Sequence, residues 1–254
     1  MMFRARTLVL ISLVASSWAV PSSAQILNTL RGFDEKEMGW SGGVEGAIAT
    51  ASGNTDYFEF EVGGAVQHQG EKNRWRFLGR TMQRTASGNE IARSQFGHIR
   101  HNYRLTPRFS TLAFLQGQYD PFKRIENRYL AGAGAQTDLL KDADWRSVLG
   151  ASIMYENEEL TDNNGITTSD ARLSFFLSVF RDVKEGVDVD FVGFYQPLVD
   201  NLGDARASVT FGMRADIAGE LYTFVRYVAE YDSEPAPGVD DLDQSLRAGL
   251  GYKF

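Results

Sequence analysis

ARASVTFGMRADI, residues 205–217, is the stretch on which the fold turns. Ala205, Ala207, Val209, Phe211, Met213, Ala215 and Ile217 fall on one parity. Arg206, Ser208, Thr210, Gly212, Arg214 and Asp216 fall on the other. A period of two sets these groups on opposite faces of a β-strand, whereas the 3.6-residue period of a helix would scatter them around its circumference.

The same alternation recurs on both sides of this stretch. Trp40, Val44 and Ile48 oppose Ser41 and Glu45; Phe58, Phe60 and Val62 oppose Glu59 and Glu61. Trp75, Phe77 and Thr81 oppose Arg74, Arg76, Arg80 and Arg84; Trp145, Leu149, Ile153 and Tyr155 oppose Arg146, Ser152 and Glu156. Leu173, Phe175 and Leu177 oppose Arg172, Ser174 and Ser178; Val187, Val189 and Phe191 oppose Asp188 and Asp190. Segments 93–104 and 109–119 alternate poorly and read as strands mainly from their spacing. Turn signals such as Ser52-Gly53-Asn54, Ser87-Gly88-Asn89, Asp120-Pro121, Asn163-Asn164-Gly165 and Ala218-Gly219 separate the segments. The pattern predicts an all-β chain, an up-and-down antiparallel barrel of about 12 strands.

Segment length decides the solvent. Ordinary strands run to about 5–6 residues, and a tilted membrane-crossing strand needs about 9–11. These segments run to roughly a dozen, so they predict a transmembrane barrel with apolar residues toward lipid and charged ones toward a hydrated lumen. Composition agrees. The chain has 17 Phe and 10 Tyr against 6 Pro, no cysteine, and a mean hydropathy of −0.28. It therefore cannot lean on disulfides. Its formal net charge of −7 argues against a nucleic-acid partner, which needs a basic footprint.

The first residues read as an export signal. Arg4 and Arg6 precede the apolar run Leu8–Ala15, and Ser22-Ser23-Ala24 suits signal-peptidase cleavage. The expected organisation is a cleaved leader at 1–24, a short periplasmic segment at 25–38 and the barrel at 39–254, placed in the outer membrane of a Gram-negative bacterium. Partners expected there are membrane lipid, lipopolysaccharide and, during biogenesis, the barrel assembly machinery.

If strand one rises from the periplasm, Trp40, Trp75 and Trp145 start rising strands and form an inner aromatic girdle. Tyr119, Tyr155, Tyr195 and Tyr231 end rising strands, and Tyr129 starts a falling one; these form the outer girdle. At the C-terminus Leu246, Ala248, Leu250, Tyr252 and Phe254 share one face. Leu250, Tyr252 and Phe254 resemble the assembly signal of bacterial outer-membrane barrels, in which a terminal aromatic closes the last strand.

Several short motifs resemble the salt-induced outer-membrane protein family, known mainly as a domain of unknown function. They are Gly39-Trp40-Ser41-Gly42, Ser52-Gly53-Asn54-Thr55-Asp56, Arg128-Tyr129-Leu130-Ala131-Gly132-Ala133-Gly134 and Gly251-Tyr252-Lys253-Phe254. The resemblance implies a barrel and an outer-membrane location, and it supplies no catalytic residues.

The lumen face should carry a charge ladder. Its arginines are Arg74, Arg76, Arg80, Arg84, Arg128, Arg146, Arg172, Arg206 and Arg214, opposed by Glu59, Glu61, Asp188 and Asp190. Such a ladder either pairs across strands and fills a narrow bore or selects ions by charge. Arginine bulk, with Leu78 and Met82, favours a narrow or closed lumen; a porin-like path for small solutes or ions is the alternative. Glu158, Glu159 and Asp162, and Asp232, Glu234, Asp240, Asp241 and Asp243, read as solvated outer-loop acids rather than a calcium or magnesium site. His98 and His101, three apart, face opposite ways on a strand and cannot share a metal, and His68 sits near a turn. Ser94 lies near His98 without the short motifs of the outer-membrane phospholipases. No enzyme, cofactor or metal is expected; a lipid-acting enzyme is the weakest of the readings.

Overall fold

The computed structural model describes residues 38–51, 57–161, 167–236 and 238–254. The leader at 1–24, nearly all of the segment at 25–38, and the turn residues Ser52 to Asp56 and Asp162 to Ile166 lie outside the described residues.

Twelve antiparallel strands follow one another in chain order: β1 Gly39–Ala51, β2 Tyr57–Gln69, β3 Asn73–Ala86, β4 Asn89–Arg104, β5 Phe109–Asp120, β6 Ile125–Lys141, β7 Trp145–Leu160, β8 Thr167–Lys184, β9 Val187–Pro197, β10 Ala205–Ala218, β11 Leu221–Asp232 and β12 Leu242–Lys253. Each pairs with the next, and β1 pairs with β12, so the sheet closes into a barrel with no free edge. β1 enters and β12 leaves at one rim, called here the terminal rim; the other is the distal rim. Among the described residues no helix is long and apolar enough to cross a membrane.

Following paired residues from strand to strand shows the tilt. Ser41, near the start of β1, faces Gln67, then Arg76, Arg100, Phe114, Gly132, Met154 and finally Arg172, close to the distal end of β8. This stagger is the inclination a closed barrel requires.

Parity sets the two faces as the sequence predicts. Ile48, Leu115, Ile153, Phe211 and Leu246 point outward and are more than half exposed, while Arg76, Gln118, Glu156, Ser178 and Asp190 are buried inside. An apolar outer face with polar groups gathered inside is the arrangement that a barrel bathed in hydrocarbon requires.

Closure depends on the terminal Phe. The β1–β12 ladder holds four pairs, Gly43 to Gly46 against Lys253 to Leu250. Phe254 extends it: its N–H donates to the Gly42 carbonyl at 2.9 Å, and the Gly42 N–H donates to the Phe254 carbonyl at 2.8 Å. The Phe254 ring lies over Gly42. A Cβ at Gly42 would stand 2.7 Å from the Ala65 carbonyl oxygen and 3.0 Å from that ring, so only glycine fits.

Candidate functional site: a charged lumen

Strand parity delivers every arginine and carboxylate of the expected ladder to the inside, and the register decides which of them meet. On the distal side Arg206 of β10 is the centre. Its Nη1 donates to both oxygens of Glu156 on β7 at 2.6 and 2.7 Å, its Nε donates to Asp232 on β11 at 2.9 Å, and its Nη2 lies 3.5 Å from Glu158. Arg128 pairs with Glu158, and Arg172 donates to Asp204 at 2.9 Å while lying 3.5 Å from Glu156. All but Asp204, which is partly covered in the β9–β10 connection, are buried, and the buried groups span β6, β7, β8, β10 and β11. Charge-assisted pairs of this geometry tie opposite walls of the bore together.

The connection after β5 adds a second tie. Asp120 accepts the Lys123 N–H at 3.1 Å and caps a single 3-10 turn, Pro121–Lys123. The turn sends the Lys123 side chain across the distal mouth, where Nζ lies 3.0 Å from Glu230 and 3.2 Å from Asp243. Burial works against the ammonium, but Glu230, Asp243 and Asp120 outweigh it and hold Lys123 above its ordinary value. Further round the wall Arg226 pairs with Glu45 at 2.6 Å, and Arg247 pairs with Glu61 at 3.1 Å. Arg80 lies 3.9 Å from Glu61. Arg84–Glu59 closes the distal edge and Arg214–Asp188, at 2.7 Å, the terminal edge.

On the terminal side the arginines meet amides. Arg74 Nε donates to Gln69 at 2.5 Å and Arg76 Nε to Gln67 at 3.0 Å. Arg100 donates to Gln136 at 2.7 Å and to Asn102 at 3.3 Å. Arg146 sits at the mouth, 3.7 Å from Asp138.

Between the two halves the bore is greasy. Leu112, Val148, Phe176 and Val192 are buried together, with Phe114, Phe180 and Phe194 packed on them. Phe176 lies flat because the facing residue is Gly150, where any Cβ would overlap its ring. The Arg100 guanidinium caps the same ring, 5.0 Å from its centroid. One cavity in the bore among the described residues, lined by His98, Arg128, Met154, Glu156, Phe176 and Arg206 among others, has a volume of about 40 Å³. A water needs about 10–15 Å³ by this measure, so a few waters fit and a solute does not.

The remaining sequence candidates are placed as follows. Trp40, Trp75 and Trp145 point outward near the terminal rim; Tyr129, Tyr155, Tyr195 and Tyr231 point outward on the distal half, and Tyr119 is outward but half covered. Leu250 and Tyr252 face outward beside Phe254. His98 points in, stacked between Phe96 and Phe114 with Nδ1 3.0 Å from the Gln116 side-chain oxygen; His101 points out, against Trp75 and bonded to Asn73 at 2.9 Å. His68 points outward and rests against Trp40. Ser94 is buried in the lumen face, apart from any triad geometry.

One expectation is corrected. Glu158, Asp232 and Asp243 are not solvated loop acids: Glu158 is 8 % and Asp232 4 % exposed, and all three pair with lumen cations. The strands extend further than the turn signals suggest, so parity still turns these side chains inward. Asp162 lies outside the described residues. Sequence reasoning also missed the Lys123 tie and the apolar block; the available signal was aromatic residues, Phe176 and Phe194, at positions of polar parity beside Ser174, Ser178 and Gln196.

The model of one family, described as a protein of unknown function, DUF481, matches residues 44–254, almost the whole described barrel. The chain belongs to the DUF481 family. No curated protein matches it. Among solved structures it is similar to the NanC porin, with a TM-score of 0.53, 11 % identity, and coverage of 84 % of this chain and 100 % of that one. It is also similar to the KdgM porin, with a TM-score of 0.44, 8 % identity, and coverage of 85 % and 99 %. A third likeness is to the translocator domain of the autotransporter NalP from Neisseria meningitidis, with a TM-score of 0.44, 11 % identity, and coverage of 84 % and 87 %. At such identities the likeness speaks to the fold alone. This DUF481 barrel has a closed antiparallel sheet whose inward face carries the ion pairs and the apolar block described above.

Proposed function

We propose that this DUF481 chain is an outer-membrane barrel whose lumen is shut at rest, and that it serves the envelope as a structural component rather than as an open diffusion pore. The single observation that carries this is the bore itself: the cavity of about 40 Å³ lies among an apolar block and a network of buried ion pairs joining opposite walls. The outward apolar face supports a bilayer location, and the leader-like N-terminus supports export to the outer membrane. With the start of β1 and the end of β12 at one rim, that rim faces the periplasm. The outward Trp and Tyr residues then act as interfacial girdles against lipid and lipopolysaccharide, and Leu250, Tyr252 and Phe254 act as the signal read by the barrel assembly machinery. The proposal assigns the chain no reaction, no cofactor and no nucleic-acid partner. A role in adaptation to salt or osmotic stress rests on the family resemblance alone.

A second reading, a narrow pore for small ions, is favoured by one feature. Side chains close this bore, since no connecting segment among the described residues folds deep into it. Side chains can move where a folded-in loop would have to unfold. Single-channel recording of the purified barrel in planar bilayers tests both. A silent baseline supports the closed barrel, and a large, stable conductance overturns it.

A further inference from the structure

The three outward tryptophans of the terminal rim share one cross-strand arrangement. Trp40 faces His68, Trp75 faces His101 and Trp145 faces Arg181 in direct register. The rings of the first two pairs lie 4.9 and 4.4 Å apart, and the Arg181 guanidinium stands 4.6 Å from the centre of the Trp145 ring. On β8 the outward residues run Leu173, Phe175, Leu177 and Val179 before they reach Arg181, so a cation ends an apolar row at the level of a tryptophan. Asp182 takes the opposite parity, and among the described residues no ion pair joins Arg181 to a carboxylate. The distal girdle differs. Tyr129, Tyr155, Tyr195 and Tyr231 have no histidine or arginine opposite them on either side.

The middle pair heads a groove. Its row continues in register from Trp75 and His101 through Ala113 and Ala133 to Ile153. The result is a trough of about 700 Å³ on the lipid face, walled by Ile99, Leu115, Ile153 and Tyr155, with Trp75 and His101 at its head. Ligand pockets run to about 300–1,000 Å³. Among the described residues no acceptor takes the Trp75 indole N–H. His101 is steadied by Asn73, 2.9 Å from Nε2, and hydrogen on its second ring nitrogen adds a donor beside the indole. The trough therefore couples a donor-bearing head to an apolar body. We infer that it is a binding site for one phospholipid, whose phosphodiester sits at Trp75 and His101 and whose acyl chain lies along the trough. Phosphodiester oxygens are the acceptors these donors lack, and Arg181 at the same rim suits the same negative charge. An apolar protein surface would fill the trough but leave the donors unanswered. The inference rests on the bilayer reading of the outward face, and adds to it a ligand class and a place.

The test uses the full chain in dodecyl maltoside with Trp18→Phe, Trp40→Phe and Trp145→Phe, so that Trp75 alone emits. Phosphatidylglycerol with dibrominated acyl chains, which quench a tryptophan they touch, should quench Trp75 saturably. Dibrominated diacylglycerol, which lacks the phosphate, should need about threefold more or beyond for half quenching, as expected for the loss of one hydrogen bond. His101→Leu should raise the phosphatidylglycerol midpoint by a similar factor, and His101→Arg should restore it. Ala133→Phe, which fills the trough, should raise the midpoint of both lipids, and it decides if His101→Leu does not fold. Arg84→Gln at the distal rim should change nothing. Equal midpoints for the two lipids, or His101→Leu and Ala133→Phe chains that quench like their parent, overturn the site. Displacement of the quenching lipid by inorganic phosphate, against sodium chloride at matched ionic strength, overturns a lipid ligand. A chain that stays soluble and monodisperse without detergent sinks the bilayer reading; one that needs detergent but makes no distinction between the two lipids sinks only this inference.

Discussion

Arg206→Gln is the most informative single change. Arg206 is 7 % exposed and bonds Glu156 through two contacts and Asp232 through a third. Its removal leaves Arg128 and Arg172 to serve the buried Glu156, Glu158 and Asp232 and the partly covered Asp204. Glu156 keeps only the longer approaches of Arg172 at 3.5 Å and Arg128 at 3.9 Å. Breaking a buried pair from one side costs about 3–5 kcal/mol, mostly because the abandoned charge stays buried. For a chain of this size each kcal/mol moves Tm by about 2–4 °C, so the expected drop is about 6–20 °C. The assay is the heat-modifiable gel shift of the detergent-solubilised barrel, scored as folded fraction against temperature. The double variant Arg206→Gln with Glu156→Gln should recover part of the loss, since it withdraws one stranded charge. Arg84→Gln is the contrast: the Arg84 side chain is 43 % exposed, and the loss should stay within about 1 kcal/mol. If Arg206→Gln melts like the wild type, or the double variant is no steadier than the single, the distal network does not hold the walls together as argued.

Three further outcomes are expected. Gly42→Val pushes a side chain against the Ala65 carbonyl and the Phe254 ring at a seam of four pairs, so it should lower the folded yield in vesicles and cost about 1–3 kcal/mol; unchanged yield would show that Phe254 is not needed over Gly42. Phe176→Ala removes the ring that blocks the middle of the bore, costs about 3–5 kcal/mol, and should give small discrete openings in planar bilayers where the wild type is silent; silence in both would place the closure elsewhere. Lys123 is held above its ordinary value near 10.5 when folded, so its contribution is complete below that pH and lost as alkali titrates the folded group. Melting between pH 8 and 12 should therefore show a destabilisation above about 10.5 that Lys123→Gln lacks; equal alkaline slopes would dismiss the Lys123 tie.

The alternation of residues 205–217 and its repeats determined the strand type and the face that side chains take within the strands, because parity is a local property of an extended backbone, and turn spacing added the two strands that alternate poorly. That is why Arg74, Arg76, Arg128 and Arg206 were placeable inside from sequence, and His98 and His101 on opposite faces. Partnership is not local. Glu156 and Arg206 are 50 residues apart, and Lys123 and Glu230 are 107 apart; they meet only because the stagger of the closed sheet brings unlike positions to one height. The same stagger gathers Leu112, Phe176 and Val192 from three strands into the apolar block. Sequence alone thus decided that the inward face is charged, and tertiary structure decided which of its charges meet and where apolar side chains gather between them, since closing a tilted sheet selects neighbours that no local pattern encodes.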